Sequence, residues 1–308
     1  VVNSLDVGGS EKLVVNTVNA LDRDKINCFI AYGGNSYLAK ELAPEIKTIR
    51  ISNKPLSLDL RTLKYIVRFI KVISSYNIDL IDGYLFDSTV ISAIAAKFSK
   101  IPVIEHIAGS LEDLTKKEKI ITKLPVIRDV FYNLVDIYVA FVDYHAQELQ
   151  NVWHIPSKKI KVINYGVDIK KFNPNVKDLR NSFGIDKDAI VLGFVGRLHP
   201  VQGISDMLRI FKEIKKSLNA KLIIVGDGEW RKEYEKMAID LKINKDVIFT
   251  GFRDDIPEIM KTFDVFFMTC HKPLVGIAVL EAMAVAKPII TLARDDEEKK
   301  MAMETVKP

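Results

Sequence analysis

Long apolar runs are missing from this chain of 308 residues. No stretch approaches the ~18 uninterrupted apolar residues of a membrane-spanning helix. The best candidate, 275–293, is broken by Glu281, Lys287 and Pro288. Cysteine is almost absent: Cys28 and Cys270 are too few for a disulfide framework, so a reducing cytoplasm is the expected setting. A surplus of one charge is lacking too. Up to Asp168 there are 21 basic and 19 acidic residues and beyond it 24 and 21, for a net charge of +5. That balance leaves no basic footprint for nucleic acid, while a weak attraction to anionic lipid or phosphorylated ligands stays open. The start resembles no secretory leader and is Val1 rather than Met, as expected of a piece of a longer protein. What is present is ordinary: 48% hydrophobic and 28% charged residues exclude disordered and collagen-like chains. The length favours two domains.

Short β-branched runs alternate with longer periodic segments, the pattern of an α/β protein with parallel sheets. Val1-Val2-Asn3-Ser4-Leu5 reads as the end of a strand, followed by Gly8-Gly9-Ser10-Glu11 and a helix with Leu13, Val14, Val18 and Leu21 on one face. Further strands are expected at 27–31, 48–51, 80–82, 103–105, 137–141 and 161–163. The clearest helix is 59–75, with Leu60, Leu63, Ile66, Val67, Ile70 and Ile73 at helical spacing. After Gly166-Val167-Asp168 a polar linker runs to Asp188. A second series then places strands at 190–195, 221–225, 247–250, 265–268 and 288–292, and helices at 204–218, 230–241, 256–262 and 277–285. Two doubly wound halves, 1–168 and 169–308, predict a ligand cleft between them.

Several loops carry residues suited to anions. Gly8-Gly9 lies between a strand and a helix, where glycine allows close approach and the helix N-terminus favours negative charge; a plain βα turn explains it equally well. Gly226-Asp227-Gly228 ends a strand but lacks the third glycine of a dinucleotide fingerprint. Arg197, in Gly196-Arg197-Leu198, projects from the carboxyl end of 190–195. A guanidinium there can grip a diphosphate with two parallel hydrogen bonds, or make a structural ion pair. His106 follows 103–105 at the same kind of edge. His145, His154, His199 and His271 show no metal-ligand spacing; His199 and His271 neighbour the candidate anion loops.

In order, Gly8-Gly9-Ser10-Glu11, Val162-Ile163-Asn164-Tyr165-Gly166-Val167-Asp168, Gly196-Arg197-Leu198, Ile224-Val225-Gly226-Asp227-Gly228, Thr250-Gly251-Phe252-Arg253 and Leu280-Glu281-Ala282-Met283-Ala284 resemble family 4 glycosyltransferases of group 1. The resemblance covers nearly the whole chain and implies the GT-B fold, two Rossmann-like domains with the active site between them. It implies transfer of a sugar, of hexosyltransferase type, from a UDP- or GDP-sugar to a saccharide or lipid-linked acceptor with retained configuration. The setting it implies is cytoplasmic synthesis of cell-surface polysaccharide. Arg197 matches the arginine that stabilises the diphosphate leaving group. Glu281 matches the glutamate that accepts hydrogen bonds from the ribose hydroxyls, and His106 a histidine that contacts the transferred sugar. Gly8, Gly9, Gln202, Gly228, Gly276 and Ile277 fall at donor-binding positions. No metal or other cofactor is expected.

Two positions depart from the family pattern. Gln202, before Gly203, stands where a second cationic contact to the diphosphate is usual, and glutamine supplies no charge. Pro273, eight before Glu281, replaces the carboxylate usually placed near the transferred sugar, and proline offers neither an acceptor side chain nor an N–H. The family also continues beyond 288–292 with further strands and a returning helix, whereas here a charged segment, Arg294-Asp295-Asp296-Glu297-Glu298-Lys299-Lys300, leads to Pro308. The second domain is therefore expected to be incomplete. A catalytically impaired sugar-nucleotide sensor or scaffold is the alternative from another class. A pyridoxal-dependent phosphorylase would be far longer, and a nicotinamide oxidoreductase would need the full glycine fingerprint.

Asp22-Arg23-Asp24 and Asp186-Lys187-Asp188 have the Asp-x-Asp form of metal-dependent transferases of another fold, but both sit in polar turns and read as solvated surface. Lys116-Lys117-Glu118-Lys119, with Lys123 and Arg128, precedes the apolar 130–139. This reads as a charged helix face, with peripheral contact at the inner face of the membrane as the open alternative.

Overall fold

The computed structural model of the protein describes residues 1–6, 8–107, 132–270 and 276–292. The chain divides into two compact units, Val1–Tyr165 and Gly166–Pro308, so the division falls just before the Gly166-Val167-Asp168 turn.

The first unit is built of two parallel sheets with helices between their strands. Its elements are α1 (Gly9–Ala20), β1 (Phe29–Gly33), β2 (Lys47–Ser52), α2 (Thr62–Tyr76), β3 (Ile81–Tyr84), α3 (Phe86–Ser99), β4 (Val103–Ile107), β5 (Ile137–Ala140), α4 (Asp143–Asn151) and β6 (Ile160–Val162). Strand β1 pairs with β2, and β3 to β6 pair in order, all in parallel. The opening residues stitch these two sheets together. Val2 donates its N–H to the Ala31 carbonyl at 3.1 Å, while Tyr84 donates to the Val1 carbonyl at 2.9 Å on the other side. Expected as a strand end, this segment occupies a strand's place, with one bridge between Val2 and Tyr32.

Helix α2 begins later than the expected 59 because Asp59 is tied into a turn: its carboxylate accepts the Arg61 N–H at 2.7 Å, and its own N–H donates to Thr62 Oγ1 at 2.9 Å. Asn77, with φ of 48°, ends the helix in the left-handed conformation usual for such a stop. Helix α3 shows no clean stripe in sequence because it is buried nearly all round. Ser88, Thr89 and Ser92 are fully buried, and each satisfies its hydroxyl on a carbonyl three or four residues back. Gly83 of β3 lets α3 approach, for a Cβ there would stand 2.4 Å from Thr89 Oγ1.

The second unit repeats the plan with β7 (Ile190–Val195), α5 (Ile204–Ile214), β8 (Ala220–Val225), α6 (Arg231–Asp240), β9 (Val247–Gly251), α7 (Ile256–Thr262), β10 (Val265–Met268), α8 (Ile277–Ala284) and β11 (Ile289–Thr291). The strand order is β11-β10-β7-β8-β9, all parallel. The order therefore reverses at β7, and the carboxyl ends of β7 and β10 flank a switch point of the kind that binds ligands in open α/β sheets. Phe211, Phe263 and Phe266 are fully buried in this core, each stabilising it by about 1.5–3 kcal/mol. Gly193 in β7 lies against the Phe263 ring, where any Cβ would fall 2.2 Å from it.

Candidate functional site

In the second unit the loops after β7, β8 and β9 are joined backbone to backbone. Gly196 donates to the Val225 carbonyl at 3.0 Å, Leu198 to Asp227 at 2.9 Å, and Gly226 to Gly251 at 2.9 Å. Gly226 has φ of +126°, and a Cβ on it would sit 2.0 Å from the Gly196 oxygen; one on Gly228 would sit 2.4 Å from the Leu198 oxygen. The Gly-Asp-Gly sequence thus has a packing reason of its own. Asp227 holds this loop further, accepting the Gly228 N–H at 2.8 Å and pairing with Arg231 at 3.0 Å. Arg231 is in turn paired with Glu235 at 2.8 Å.

Arg197 stands on this fixed backbone. It is exposed, and its guanidinium has no hydrogen bond or ion pair with any side chain. Gln202 ends a short 3-10 turn, Pro200–Gln202, whose backbone is closed by its own N–H to the His199 carbonyl at 2.9 Å. The His199 ring accepts from the Val201 N–H at 3.3 Å, so this histidine caps the turn. Thr269, just after β10, donates to the Gly203 carbonyl at 2.8 Å and ties the two loops of the switch point together.

Helix α8 opens at the same end of the unit. Gly276 precedes it without a side-chain cap, leaving first-turn N–H groups for an anion. A Cβ on Gly276 would meet nothing within 4 Å. Ile277 is half-buried, and Glu281, one turn on along the same face, is buried at 8% exposure. The carboxylate expected to meet ribose therefore lies on the inward side of the helix. Pro273, with His271, Lys272, Leu274 and Val275, lies outside the described residues, as do Lys116 to Val130 and Arg294 to Pro308.

The first unit holds Gly8, Gly9 and His106. Gly8 caps α1 with an extended backbone, and the Glu11 carboxylate lies close above it: a Gly8 Cβ would fall 2.2 Å from Glu11 Oε2. A carboxylate of the protein thus sits at the helix end where a phosphate was expected. A Cβ on Gly9 would meet open space.

His106 pairs across the sheet with Tyr84, and Asp82 shares the Tyr84 face one pleat back. The His106 Nε2 and Asp82 Oδ1 atoms are 2.8 Å apart. No aligned hydrogen bond joins them, and Asp82 Oδ1 and His106 Nδ1 are both buried without an aligned partner. The imidazole stacks on Tyr84 at 4.3 Å and 8°, and Phe141 lies on its other side at 5.6 Å, itself stacked on Tyr165 at 4.0 Å. Burial, with the Asp82 carboxylate nearby, pushes the Tyr84 phenol well up. On the opposite face of β4 burial raises the Glu105 carboxyl to about 8. Burial also lowers His145 of α4 to about 4.

Asp82, Tyr84, Phe141 and Tyr165 were not singled out from sequence. The period-2 alternation of Ile81-Asp82-Gly83-Tyr84 was the available signal, but it needed the register with β4. Asp22 is used locally, accepting the Asp24 N–H at 3.1 Å and pairing with Lys25 at 2.9 Å. Among the described residues no group of three or more His, Cys, Asp or Glu side chains is placed to hold a metal ion. Among them, too, no helix is long and apolar enough to cross a membrane.

Comparison with known proteins agrees with this architecture. An Anabaena protein, Alr3699/HepE, solved in complex with UDP and glucose, superposes with a TM-score of 0.76 at 22% identity, covering 99% of this chain and 82% of that one. The fold is the two-domain α/β GT-B fold of glycosyltransferases. The profile of Glycosyltransferase Family 4 matches residues 7–171, and that of Glycosyl transferases group 1 matches residues 175–302. The chain belongs to glycosyltransferase family 4, group 1. It is 32% identical over 151 residues to the uncharacterized glycosyltransferase MJ1607 of Methanocaldococcus jannaschii, covering 47% of this chain and 39% of that protein. It is 24% identical over 247 residues to the UDP-Gal:alpha-D-GlcNAc-diphosphoundecaprenol alpha-1,3-galactosyltransferase of Escherichia coli, covering 75% of this chain and 62% of that enzyme. The chain thus spans well under two thirds of the first of these relatives and just under two thirds of the second.

Proposed function

We propose that this protein transfers a hexose from a UDP- or GDP-sugar to a saccharide or lipid-linked acceptor, with retention of configuration. The observation that carries the reading is Arg197: an exposed guanidinium without a protein partner, on a backbone locked to two neighbouring loops, at the switch point of the second unit. When the bond from the anomeric carbon to the diphosphate oxygen breaks, negative charge builds on the leaving group, and a fixed cation there lowers the barrier. The first-turn N–H groups of α8, after Gly276 and at Ile277, are suited to the phosphates, and Glu281 is assigned to the ribose hydroxyls. Gly8, Gly9 and Gly228 are assigned to close backbone approach and His106 to the transferred sugar. The reading routes no step through a metal ion or other cofactor. The galactosyltransferase relative, named for a UDP-sugar donor and a lipid diphosphate acceptor, supports this donor and acceptor class. So does the Anabaena neighbour bound to UDP and glucose.

Gln202 favours a second reading, in which the donor binds but turnover is slow. A neutral amide in that place leaves Arg197 with less help against the diphosphate charge. Titration calorimetry with a panel of UDP- and GDP-sugars, on the wild type and on Arg197→Ala, tests the donor assignment. Binding of one donor, weakened in the variant, supports it; failure of every donor to bind removes both readings. If a donor binds, Gln202→Lys combined with Pro273→Glu raises turnover should those two positions be the cause of slow catalysis. No gain would refute that cause.

A further inference from the structure

The turn from Leu198 to Gly203 has no backbone N–H left for a ligand. Leu198 donates to the Asp227 carbonyl at 2.9 Å, His199 to Arg197 at 2.9 Å, Gln202 to His199 at 2.9 Å and Gly203 to Pro200 at 3.0 Å. Val201 donates to His199 Nδ1 at 3.3 Å, and Pro200 has no N–H. An anion that meets this loop must therefore be gripped by side chains. Three stand there with donors: Arg197, His199 and Gln202. The turn that carries the last two is held from the end of β10 as well. Thr269 Oγ1 donates to the Gly203 carbonyl at 2.8 Å, and the Cys270 thiol to the Val201 carbonyl at 3.3 Å.

His199 differs from the other two because its ring is oriented before any ligand arrives. A neutral imidazole that accepts at Nδ1 carries its proton on Nε2, so the bond from Val201 fixes the tautomer and makes Nε2 a donor. The residue is exposed, and among the described residues no group takes up that N–H. The extended backbone of His199 leads into the 3-10 turn that ends at Gln202. Residues three apart in such a turn stand one above the other, so His199 lies on the side of Gln202. Its backbone bond to the Arg197 carbonyl keeps it close to the residue that carries the guanidinium. We infer that His199 is a diphosphate-binding residue: Nε2–H donates to a phosphate oxygen, beside Arg197, in the place that Gln202 leaves without charge. The inference rests on the function proposed above and names one more group of that site. A capping role alone accounts for Nδ1 and asks nothing of Nε2; serine or asparagine would cap the turn as well. Gln202 has a donor of its own, but no hydrogen bond orients its amide, and ordering that longer side chain costs entropy.

Asparagine and glutamine separate the two ends of the ring. His199→Asn keeps an acceptor for the Val201 N–H and has no donor in the place of Nε2. His199→Gln reaches the place of Nε2 with a donor and gives up the acceptor beside the backbone. The test is titration calorimetry of the full chain with UDP and with GDP, beside a melting curve of each variant. His199→Asn should keep the wild-type melting temperature and weaken the nucleotide that binds about tenfold or more, as loss of a hydrogen bond to a charged group demands. His199→Gln should recover part of that affinity. In a Gln202→Lys background the loss from His199→Asn should shrink, because the ammonium serves the same oxygens. Affinity unchanged in His199→Asn while Arg197→Ala lowers it overturns this inference and leaves the donor assignment standing. A loss of affinity that comes with a lowered melting temperature and is not recovered by His199→Gln also overturns it, since the ring would then act through the turn alone. An equal loss with and without the lysine removes His199 from the place that Gln202 leaves. A loss in His199→Asn beside an unaffected Arg197→Ala refutes the assignment of Arg197 and supports that of His199. Failure of the wild type to bind either nucleotide overturns the inference together with the donor assignment.

Discussion

His106 Nε2 lies 2.8 Å from Asp82 Oδ1, across neighbouring strands and beneath the parallel ring of Tyr84. The two residues meet at the carboxyl edge of the first unit, where Asp82 Oδ1 and His106 Nδ1 are buried without an aligned partner. Asp82→Asn keeps the shape and removes the charge. The expected outcome is a melting temperature changed by no more than about 4 °C, because a contact without an aligned hydrogen bond is worth at most about 1 kcal/mol. If His106 meets the transferred sugar, turnover falls about tenfold while donor affinity holds; steady-state kinetics beside calorimetry separates the two.

Arg197 and Gly226 should behave in opposite ways. Arg197→Ala removes an exposed side chain without a protein partner and should change stability by less than about 0.5 kcal/mol, while lowering turnover about 100-fold or more. Gly226→Ala forces a Cβ to within 2.0 Å of a carbonyl oxygen at φ of +126°. It should cost about 2–4 kcal/mol of stability. Urea denaturation of both, with activity measured below the transition, checks the contrast.

Gly276→Ala supplies a cleaner probe of ligand contact. Its φ of −67° suits any residue, and the added methyl meets nothing within 4 Å. Folding stability should therefore stay within about 0.5 kcal/mol of wild type. A drop in donor affinity would then report a ligand against this backbone, and an unchanged affinity would remove Gly276 from the donor site.

Gly193 and Phe263 form a pair whose cost is shared. Gly193→Ala alone drives a methyl into the Phe263 ring and should destabilise the second unit by several kcal/mol, on the order of other overpacked cores. Combining it with Phe263→Leu should recover part of that loss. A double variant no more stable than Gly193→Ala would show that the ring is not the obstacle.

The first unit should respond to pH in two opposing ways. Burial raises the Glu105 carboxyl from 4.5 to about 8, so between those values the folded state holds a proton that the unfolded state has released. Stability from this group falls as pH rises through that window, by at most about 1.4 kcal/mol per unit. Burial lowers His145 from 6.5 to about 4, so there the unfolded state holds more protons and stability rises with pH. The two slopes offset one another between 4.5 and 6.5, and above 6.5 the decline from Glu105 is no longer opposed by His145. Glu105→Gln should remove that decline. Trp230→Phe leaves Trp153, buried in the first unit, as the sole indole to follow it by fluorescence.

Several short elements were legible from the residues alone. The strands Ile190–Val195 and Val265–Met268 lie where their short apolar runs put them, and the helix Ile256–Thr262 lies where Asp255 and Pro257 mark a helix start. Helix α3 was not, since Ser88, Thr89 and Ser92 are buried among alanines and erase the amphipathic stripe. Helix α4 was expected only in general terms between its two strands, because Asp143-Tyr144-His145-Ala146-Gln147 shows no apolar stripe, although His145 and Glu148 are buried. For the candidate site, glycine and arginine loops could be found because their demands are local. The pairing of Asp82 with His106 could not, because strand register is decided by the packing of the whole sheet and is written in no short segment.

The lock between Gly196 and Gly226 has a thermodynamic consequence. Its hydrogen bonds and close backbone approach are complete before any ligand arrives. The conformational entropy of ordering the Arg197 loop is therefore lost when the second unit folds and is not charged again at association. A ligand that meets Arg197 should engage it with an entropy set by solvent and by its own flexibility, and with a heat capacity change as small as the surface it covers.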